Sequence, residues 1–214
     1  GLGDVYKRQI EKHINKILKL KSVDKAGIQN SKFKIVVDGI NSIGGVAIPK
    51  LLDSLNVEVV KINCNPNGNF AHDPEPLAEN LRELCDAVLE NNADLGIAVD
   101  PDVDRLVIVD EKGKLFSEEY TLVACADYIL SQQKGKTVSN LSSTRALSDV
   151  TKKYGQSYFA SAVGELNVVK EMKKVSAVIG GEGNGGVIYP KLHYGRDAMA
   201  VSYTHLRAHE TSID

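Results

Sequence analysis

The chain of 214 residues contains no tryptophan, only three cysteines, and no apolar run as long as the roughly 18 residues that a membrane-spanning helix needs. Cys64, Cys85 and Cys125 are widely spaced and form no Cys-x-x-Cys pair, which argues against a disulfide framework or a zinc site. A net charge of −2 without a basic run argues against nucleic-acid binding. No signal peptide is recognisable, so we expect a cytoplasmic protein with neither nucleic acid nor membrane as a partner.

What the chain does contain is an ordinary globular composition, with 43% hydrophobic and 25% charged residues, and a repeated order of strand, loop and helix. Apolar runs at residues 33–38 and 57–62 alternate with helical stripes such as residues 76–91, which predicts mainly parallel or mixed sheets covered by helices. We therefore predict an α/β fold of two similar three-layer domains, over residues 10–116 and 117–200.

The two ends of the chain fit this pattern poorly. Residues 1–9 have no clear place in the first domain. Residues 201–214 are polar where the helix implied by residues 197–200 should continue with an apolar face. We interpret both segments as foreign tails, such as translated adapter sequence, and do not count His205 or His209 as ligands.

The most informative motif is Asp-Pro-Asp-Val-Asp-Arg at residues 100–105, between two strand-like segments. Its three carboxylates, Asp100, Asp102 and Asp104, repel one another unless a cation or a proton intervenes, and oxygen ligands of this kind are typical of Mg²⁺ sites. Arg105 adds a fork-shaped donor suited to phosphate. A solvated loop is the simplest alternative. An EF-hand calcium loop matches the acidic spacing but requires glycine where Arg105 stands and helices on both sides.

A second motif, Gly-Gly-Glu-Gly-Asn-Gly-Gly at residues 180–186, contains the glycine spacing of a dinucleotide-binding loop. Such a loop must open directly into a helix, whereas here an extended segment and Pro190 follow. The preferred interpretation is a flexible loop that presents Glu182 and Asn184 to sugar hydroxyl groups, with glycines that permit close approach. An ordinary glycine turn is the alternative.

Four further polar side chains are predicted to have structural roles. His72 and Glu75 lie in a loop that is bounded by prolines. His193 is expected to be packed or at the surface, with an acid–base role as the alternative, and Arg196 is expected to pair with a nearby acid.

Taken together, the motifs resemble one family. They occur in the order and spacing of the α-D-phosphohexomutases, at residues 37–42, 70–76, 100–105, 181–186 and 195–197. The resemblance covers about residues 10–200 and corresponds to the second and third of the family's four domains. Within the family the chain most resembles the phosphoglucosamine mutases, with phosphomannomutase/phosphoglucomutase close behind.

For the acidic motif, the resemblance implies that Asp100, Asp102 and Asp104 hold Mg²⁺ and that Arg105 is a catalytic residue that orients the reacting phosphosugar. For the glycine loop, it implies that Glu182 and Asn184 bind the sugar. Two further positions are placed by the resemblance at or near the sugar: Glu165 falls where some members have a sugar-contacting or proton-transferring group, and Gly186 stands where some members have histidine.

The resemblance also implies what the chain lacks. The family's first domain supplies a phosphoserine in a Ser-His-Asn-Pro motif and its fourth domain supplies a phosphate-binding loop, and neither motif occurs in this sequence. The implied reaction moves a phosphoryl group between C6 and C1, with glucosamine 6-phosphate to glucosamine 1-phosphate as the expected case. We expect an inactive fragment whose partners are the phosphosugar and the missing domains. Phosphomannomutase/phosphoglucomutase activity and a non-catalytic sugar-phosphate or metal-binding module are the alternatives.

Overall fold

The computed structural model describes the backbone of residues 2–210 and the side chains of residues 8–206. Its helices are α1 (Leu2–Ile17), α2 (Lys25–Ser31), α3 (Gly44–Asp53), α4 (Arg82–Glu90), α5 (Glu118–Gln132), α6 (Ala146–Lys153), α7 (Glu165–Val175) and α8 (Ala198–Glu210). Its strands are β1 (Lys34–Asp38), β2 (Glu58–Ile62), β3 (Leu95–Val99), β4 (Leu106–Val109), β5 (Leu115–Phe116), β6 (Thr137–Asn140), β7 (Tyr158–Ser161), β8 (Ile179–Gly181) and β9 (Val187–Ile188). None of the described helices is both long and apolar enough to cross a lipid bilayer.

The first sheet has the strand order β2-β1-β3-β4-β5. β1 runs parallel to β2 and β3, whereas β4 is antiparallel to both β3 and β5. Every residue of β3 and β4 is buried, because apolar clusters cover both faces of the sheet, and this accounts for the nearly continuous apolar sequence of these strands. The acidic motif at residues 100–105 joins β3 to β4 and therefore begins at the carboxyl end of a central strand.

The second sheet repeats this plan with the order β7-β6-β8-β9. β6 is parallel to β7 and β8, and β8 forms an antiparallel hairpin with β9. In each sheet the last parallel strand is followed by an antiparallel partner, and the turn between them carries one motif: residues 100–105 in the first sheet and residues 182–186 in the second. The predicted α/β class, with two similar units and mixed sheets, is confirmed.

Helix α4 is shorter than the sequence pattern predicted. It begins at Arg82 and not at Pro76, and turns occupy the residues between them. The side-chain amide of Asn80 donates to the carbonyl of Glu75 at 2.7 Å. A side-chain bond of this kind offers the backbone an alternative to the helix, which explains why the apolar stripe extended the prediction too far.

Helix α8 corrects the expectation that the apolar pattern stops at Ala200. Val201, Tyr203 and Leu206 are buried, and α8 packs against α1, α3 and α5. Its polar residues misled the sequence interpretation because their hydroxyl groups are satisfied inside the helix: Ser202 donates to the carbonyl of Ala198 at 2.8 Å, and Thr204 donates to the carbonyl of Ala200 at 2.9 Å. The foreign origin of this segment stays a prediction, and residues 211–214 lie outside the described part of the chain.

Helix α1 also differs from its prediction. The helical stripe indicated a helix from Ile10 onward, whereas α1 begins at Leu2 and therefore takes in most of the segment 1–9 that fitted no domain. Within the described side chains, Ile14 and Ile17 are buried in the main core. Residue 1 lies outside the described residues.

Candidate metal and sugar site

The turns of the two hairpins lie against each other. The amide of Leu106 donates to the carbonyl of Gly185 at 3.2 Å, and Arg105 and Gly186 form an isolated antiparallel bridge. Gly185 has a φ of +86°, and a side chain there would overlap the carbonyl of Leu106. The amide of Ala198 donates to the carbonyl of Val103 at 3.1 Å, so the start of α8 also contacts the acidic motif.

The three aspartates of the acidic motif are brought together. Asp100, Asp102 and Asp104 each offer a carboxylate oxygen, and these oxygens lie within 4.8 Å of one another. Asp100 is buried, and its Oδ1 accepts from the amides of Asp104 and Arg105 at 3.0 Å each. Burial raises the pKa of Asp100, but the hydrogen bonds from Arg105 outweigh burial, so the pKa lies below its ordinary value.

The pKa of Asp104 is shifted in the direction opposite to that of Asp100. Burial, together with the neighbouring carboxyl group of Asp100, raises the pKa of Asp104 to about 6. Its Oδ2 accepts a hydrogen bond from Nη2 of Arg196. Its Oδ1 is buried and accepts no hydrogen bond from the described residues. A buried oxygen of this kind is costly unless a cation or a donor satisfies it, and three carboxylate oxygens are the ligands that a hard divalent cation prefers. The residues present therefore fit Mg²⁺.

Arg105 uses its whole guanidinium group within the protein. Nε donates to Oδ2 of Asp100 at 2.7 Å, while Nη1 and Nη2 donate to the two carboxylate oxygens of Glu75 at 2.8 and 3.3 Å. The hydrogen bond with Glu75 raises the pKa of Arg105 most, so the side chain stays charged. Glu75, which the sequence suggested was structural, thus belongs to the site, and 55% of its side chain is exposed. No sequence signal linked these two residues, which are 30 positions apart.

The glycine loop is anchored by side-chain hydrogen bonds, and the flexibility expected from its composition stays a prediction. Glu182 is buried, and its Oε1 accepts from Nδ2 of Asn140 at 2.7 Å and from the amide of Gly164 at 3.1 Å. Oδ1 of Asn184 accepts from the amide of Gly186 at 3.1 Å. The loop therefore holds the carboxylate of Glu182 in a defined position. The side chain of Asn184 closes the turn by its bond to Gly186.

An open cavity of about 270 Å³ lies beside this loop. It is lined by Glu119, Asn140, Ser142, Val163, Glu182, Gly183 and Asn184. Sequence reasoning identified Glu182 and Asn184 but missed the other polar members. Asn140 ends the central parallel strand β6 and Ser142 follows it, and ligands of open α/β sheets bind at that edge, so their position at the end of a strand was the signal that could have found them.

Arg196 pairs with acids, as predicted, and with three of them. Nη2 bonds to Asp104, Nη1 lies 3.3 Å from Oε2 of Glu182, and Nε lies 3.5 Å from Oε2 of Glu165. Glu165 also accepts the amide of Arg196 at 3.2 Å through its Oε1. The structure thus brings Glu165, the first residue of α7, to the same site as the acidic motif and the glycine loop.

The residue after Arg196 is anchored by two histidines. Oδ2 of Asp197 accepts from Nε2 of His13 at 2.7 Å and of His193 at 2.9 Å, and Oδ1 accepts from the amide of Ala200 at 3.0 Å. The amide of Gly195 donates to Nδ1 of His193 at 3.0 Å, which assigns the proton of the neutral ring to Nε2. Burial raises the pKa of Asp197, but the hydrogen bonds from both histidines outweigh burial and lower the pKa to about 2.

Comparison with known proteins gives two adjoining matches. The model for phosphoglucomutase/phosphomannomutase alpha/beta/alpha domain II matches residues 11–113, and the model for domain III matches residues 117–212. The second match extends over the whole of α8, in line with the burial of residues 201–206.

Individual relatives agree with this result. A phosphoglucomutase/phosphomannomutase from Thermococcus kodakarensis is 35% identical over 92% of this chain and 43% of its own length. A probable phosphoglucosamine mutase from Methanosarcina barkeri is 37% identical over 89% of this chain and 42% of its own length. The chain thus spans about two-fifths of the length of these curated relatives.

The fold has a close counterpart among solved structures. A putative phosphomannomutase from Thermus thermophilus superposes with a TM-score of 0.87 at 23% identity, over 96% of this chain and 48% of that chain. With adjoining family matches over both sheets and this agreement in fold, the chain belongs to the phosphoglucomutase/phosphomannomutase family, whose alpha/beta/alpha domains II and III account for its two α/β units.

Proposed function

We propose that the chain is the metal- and sugar-binding part of a phosphohexomutase, an enzyme that moves a phosphoryl group between C6 and C1 of a hexose or hexosamine phosphate. The observation that carries this proposal is the meeting of two hairpin turns, one with three converging carboxylates beside Arg105 and one with a polar cavity beside Glu182. Family membership supports the reaction class. Because the chain spans about two-fifths of its relatives, the activity belongs to the proposal for the whole enzyme.

The first part of the proposal is a Mg²⁺ site formed by Asp100, Asp102 and Asp104. The all-oxygen donor set and the buried, unsatisfied Oδ1 of Asp104 support it. When bound, Mg²⁺ would neutralise charge on the transferring phosphoryl group. Asp100 would keep its place through the two backbone amides and Arg105, since these donors hold its carboxylate whether or not a cation is present.

The second part is phosphate binding by Arg105. Its Nη1 and Nη2 bond to Glu75, whose side chain is half exposed, so a phosphate could take the place of this carboxylate. The bond from Nε to the buried Asp100 would keep the guanidinium plane oriented during that exchange. Arg105 would then stabilise negative charge on the phosphoryl group at a fixed position, which is the main requirement in phosphoryl transfer.

The third part is sugar recognition in the cavity beside the glycine loop. Its polar lining, which includes Glu119, Asn140, Ser142 and Asn184, offers donors and acceptors for hydroxyl groups. Glu165 would contact the sugar from the start of α7. The phosphoserine and the second phosphate site would come from regions equivalent to the family's first and fourth domains. We expect glucosamine 6-phosphate as the substrate, with mannose or glucose phosphates as the alternative, in the cytoplasm.

The test is a chimaera in which residues 11–212, which span both family matches, replace the equivalent segment of the full-length Thermococcus kodakarensis relative. Conversion of glucosamine, mannose and glucose 6-phosphates to the 1-phosphates is followed at matched concentrations, with chelator and with Mg²⁺ restored. We expect Mg²⁺-dependent turnover that is highest with glucosamine 6-phosphate.

Asp102→Ala in the chimaera should abolish turnover, while Asp53→Ala, a change of an exposed aspartate at the end of α3, should leave it intact. Full turnover in Asp102→Ala would refute the metal site. A folded chimaera that binds phosphosugars but turns over none of them would favour the non-catalytic binding module.

A further inference from the structure

The position of Arg196 is not explained by the proposed reaction. Its guanidinium group reaches acids from three separate segments: Asp104 in the acidic motif, Glu182 in the glycine loop and Glu165 at the start of α7. Only 18% of the side chain is exposed, so the charge is largely withdrawn from solvent. The guanidinium of Arg196 therefore joins the two hairpin turns. Its bond to Asp104 spans 92 positions of the sequence.

The route of this side chain is fixed by its surroundings. The backbone amide of Arg196 donates to the carboxylate of Glu165, and Arg196 pairs with Ile188 in an isolated antiparallel bridge. The next residue, Asp197, is held by two histidines. From this backbone position the side chain passes directly over Gly186, where any Cβ atom would overlap the Cδ atom of Arg196. The glycine thus provides the space through which the guanidinium reaches the acidic motif.

The same carboxylate is required for two purposes. Asp104 is one of the three aspartates that would bind a divalent cation, and its Oδ2 is bonded to Arg196. A divalent cation and a guanidinium at one carboxylate repel each other, at Asp104 as at Asp100, where Arg105 donates to Oδ2, and this repulsion is strong where burial lowers the dielectric constant. Arg196 has two other acids within reach, Glu182 and Glu165, so it can release Asp104 without being left unpaired.

We propose that Arg196 is a positioning residue that acts as the internal counter-cation of Asp104, as Arg105 does for Asp100. It neutralises Asp104 in the metal-free protein and is retained by Glu182 and Glu165 when a divalent cation takes Asp104. This inference rests on the proposed metal site. It implies that cation binding changes the charge that Glu182 experiences beside the sugar cavity, so the two halves of the site are coupled through one side chain.

The experiment is calorimetric titration of the chain with Mn²⁺ alone, a substitute for Mg²⁺, at neutral pH. Arg196→Gln removes the competing charge, and we expect Mn²⁺ to bind about tenfold more tightly than to the wild type. Arg196→Lys keeps the charge and should bind Mn²⁺ about as the wild type does. The matched control is Arg145→Gln, which removes the same charge from an exposed pair with Asp149 and should change nothing.

Each result decides the question. Unchanged or weaker Mn²⁺ binding by a folded Arg196→Gln overturns the role of Arg196, while loss of the signal in Asp102→Ala would show that the metal site itself is correct. Absence of any wild-type signal that depends on Asp102 overturns both proposals. If Arg196→Gln does not fold, Gly186→Ala replaces it: the added methyl group displaces Arg196 from its path, so tighter Mn²⁺ binding is again expected and unchanged binding overturns the inference.

Discussion

The cluster of Asp197, His13 and His193 gives a stability prediction that the structure makes quantitative. Oδ2 of Asp197 accepts both imidazole donors, only 7% of the Asp197 side chain is exposed, and the pKa of Asp197 is lowered to about 2. In the unfolded chain the pKa of an aspartate is about 3.9. Linkage between these two values means that ionised Asp197 contributes about 2.5 kcal/mol to the free energy of unfolding at neutral pH.

The sign follows from the direction of the change. Because the pKa is lower in the folded state, the contribution is fully present above the unfolded value and is lost as the pH falls towards the folded value of about 2. About half of the contribution, roughly 1.3 kcal/mol, should remain at a pH of about 3. Asp197→Asn removes the charge at nearly constant size, so it should lower the free energy of unfolding by about 2.5 kcal/mol at neutral pH and by about half as much near pH 3.

The measurement is urea unfolding of the wild type and Asp197→Asn at several pH values between about 3 and 7. The control is Asp149→Asn, whose carboxylate pairs with Arg145 at the surface and is 52% exposed, and which should show only a small, flat difference. If the deficit of Asp197→Asn is the same at every pH, the carboxylate is not stabilised by its charge and the reasoning fails.

Two further predictions concern the turns of the site. Gly185→Ala should lower the free energy of unfolding in urea by at least about 2 kcal/mol, because the new side chain meets a left-handed φ and the carbonyl of Leu106. Gly155→Ala, which has a left-handed φ but open space around it, should lower the free energy of unfolding by about 1 kcal/mol. Equal losses in the two variants would contradict the argument from close approach. Glu75→Gln weakens the ion pair between Glu75 and Arg105, so the binding of inorganic phosphate, measured by calorimetry, should become several-fold tighter. Glu79→Gln, a change at a nearby exposed residue, should have no effect. Weaker phosphate binding by Glu75→Gln would show that the carboxylate supports the phosphate site rather than occupying it.

Local patterns in the sequence predicted much of the fold. The apolar runs gave β1, β3 and β4 because a strand buried on both faces leaves an almost unbroken apolar record. Helix ends were less predictable: α4 begins six residues later than Pro76, because an asparagine side chain bonds to the backbone there, and α8 continues beyond Ala200 because neighbouring elements bury it. Hydropathy fails to report burial where hydroxyl groups are satisfied within the helix, as they are in α8.

The sequence by itself determined that three carboxylates lie together, since alternate residues of one short turn between two buried strands cannot be far apart. It also placed a glycine loop after a second strand. Only the tertiary structure decided which side chains meet these motifs: Glu75 at Arg105, and Arg196 at Asp104. Such pairs join segments that are 30 and 92 residues apart, and their contact depends on how the loop before α4 packs on the first sheet and on how the turns of the two sheets meet. Periodicity records the environment of one element at a time, so it carries no information about that packing.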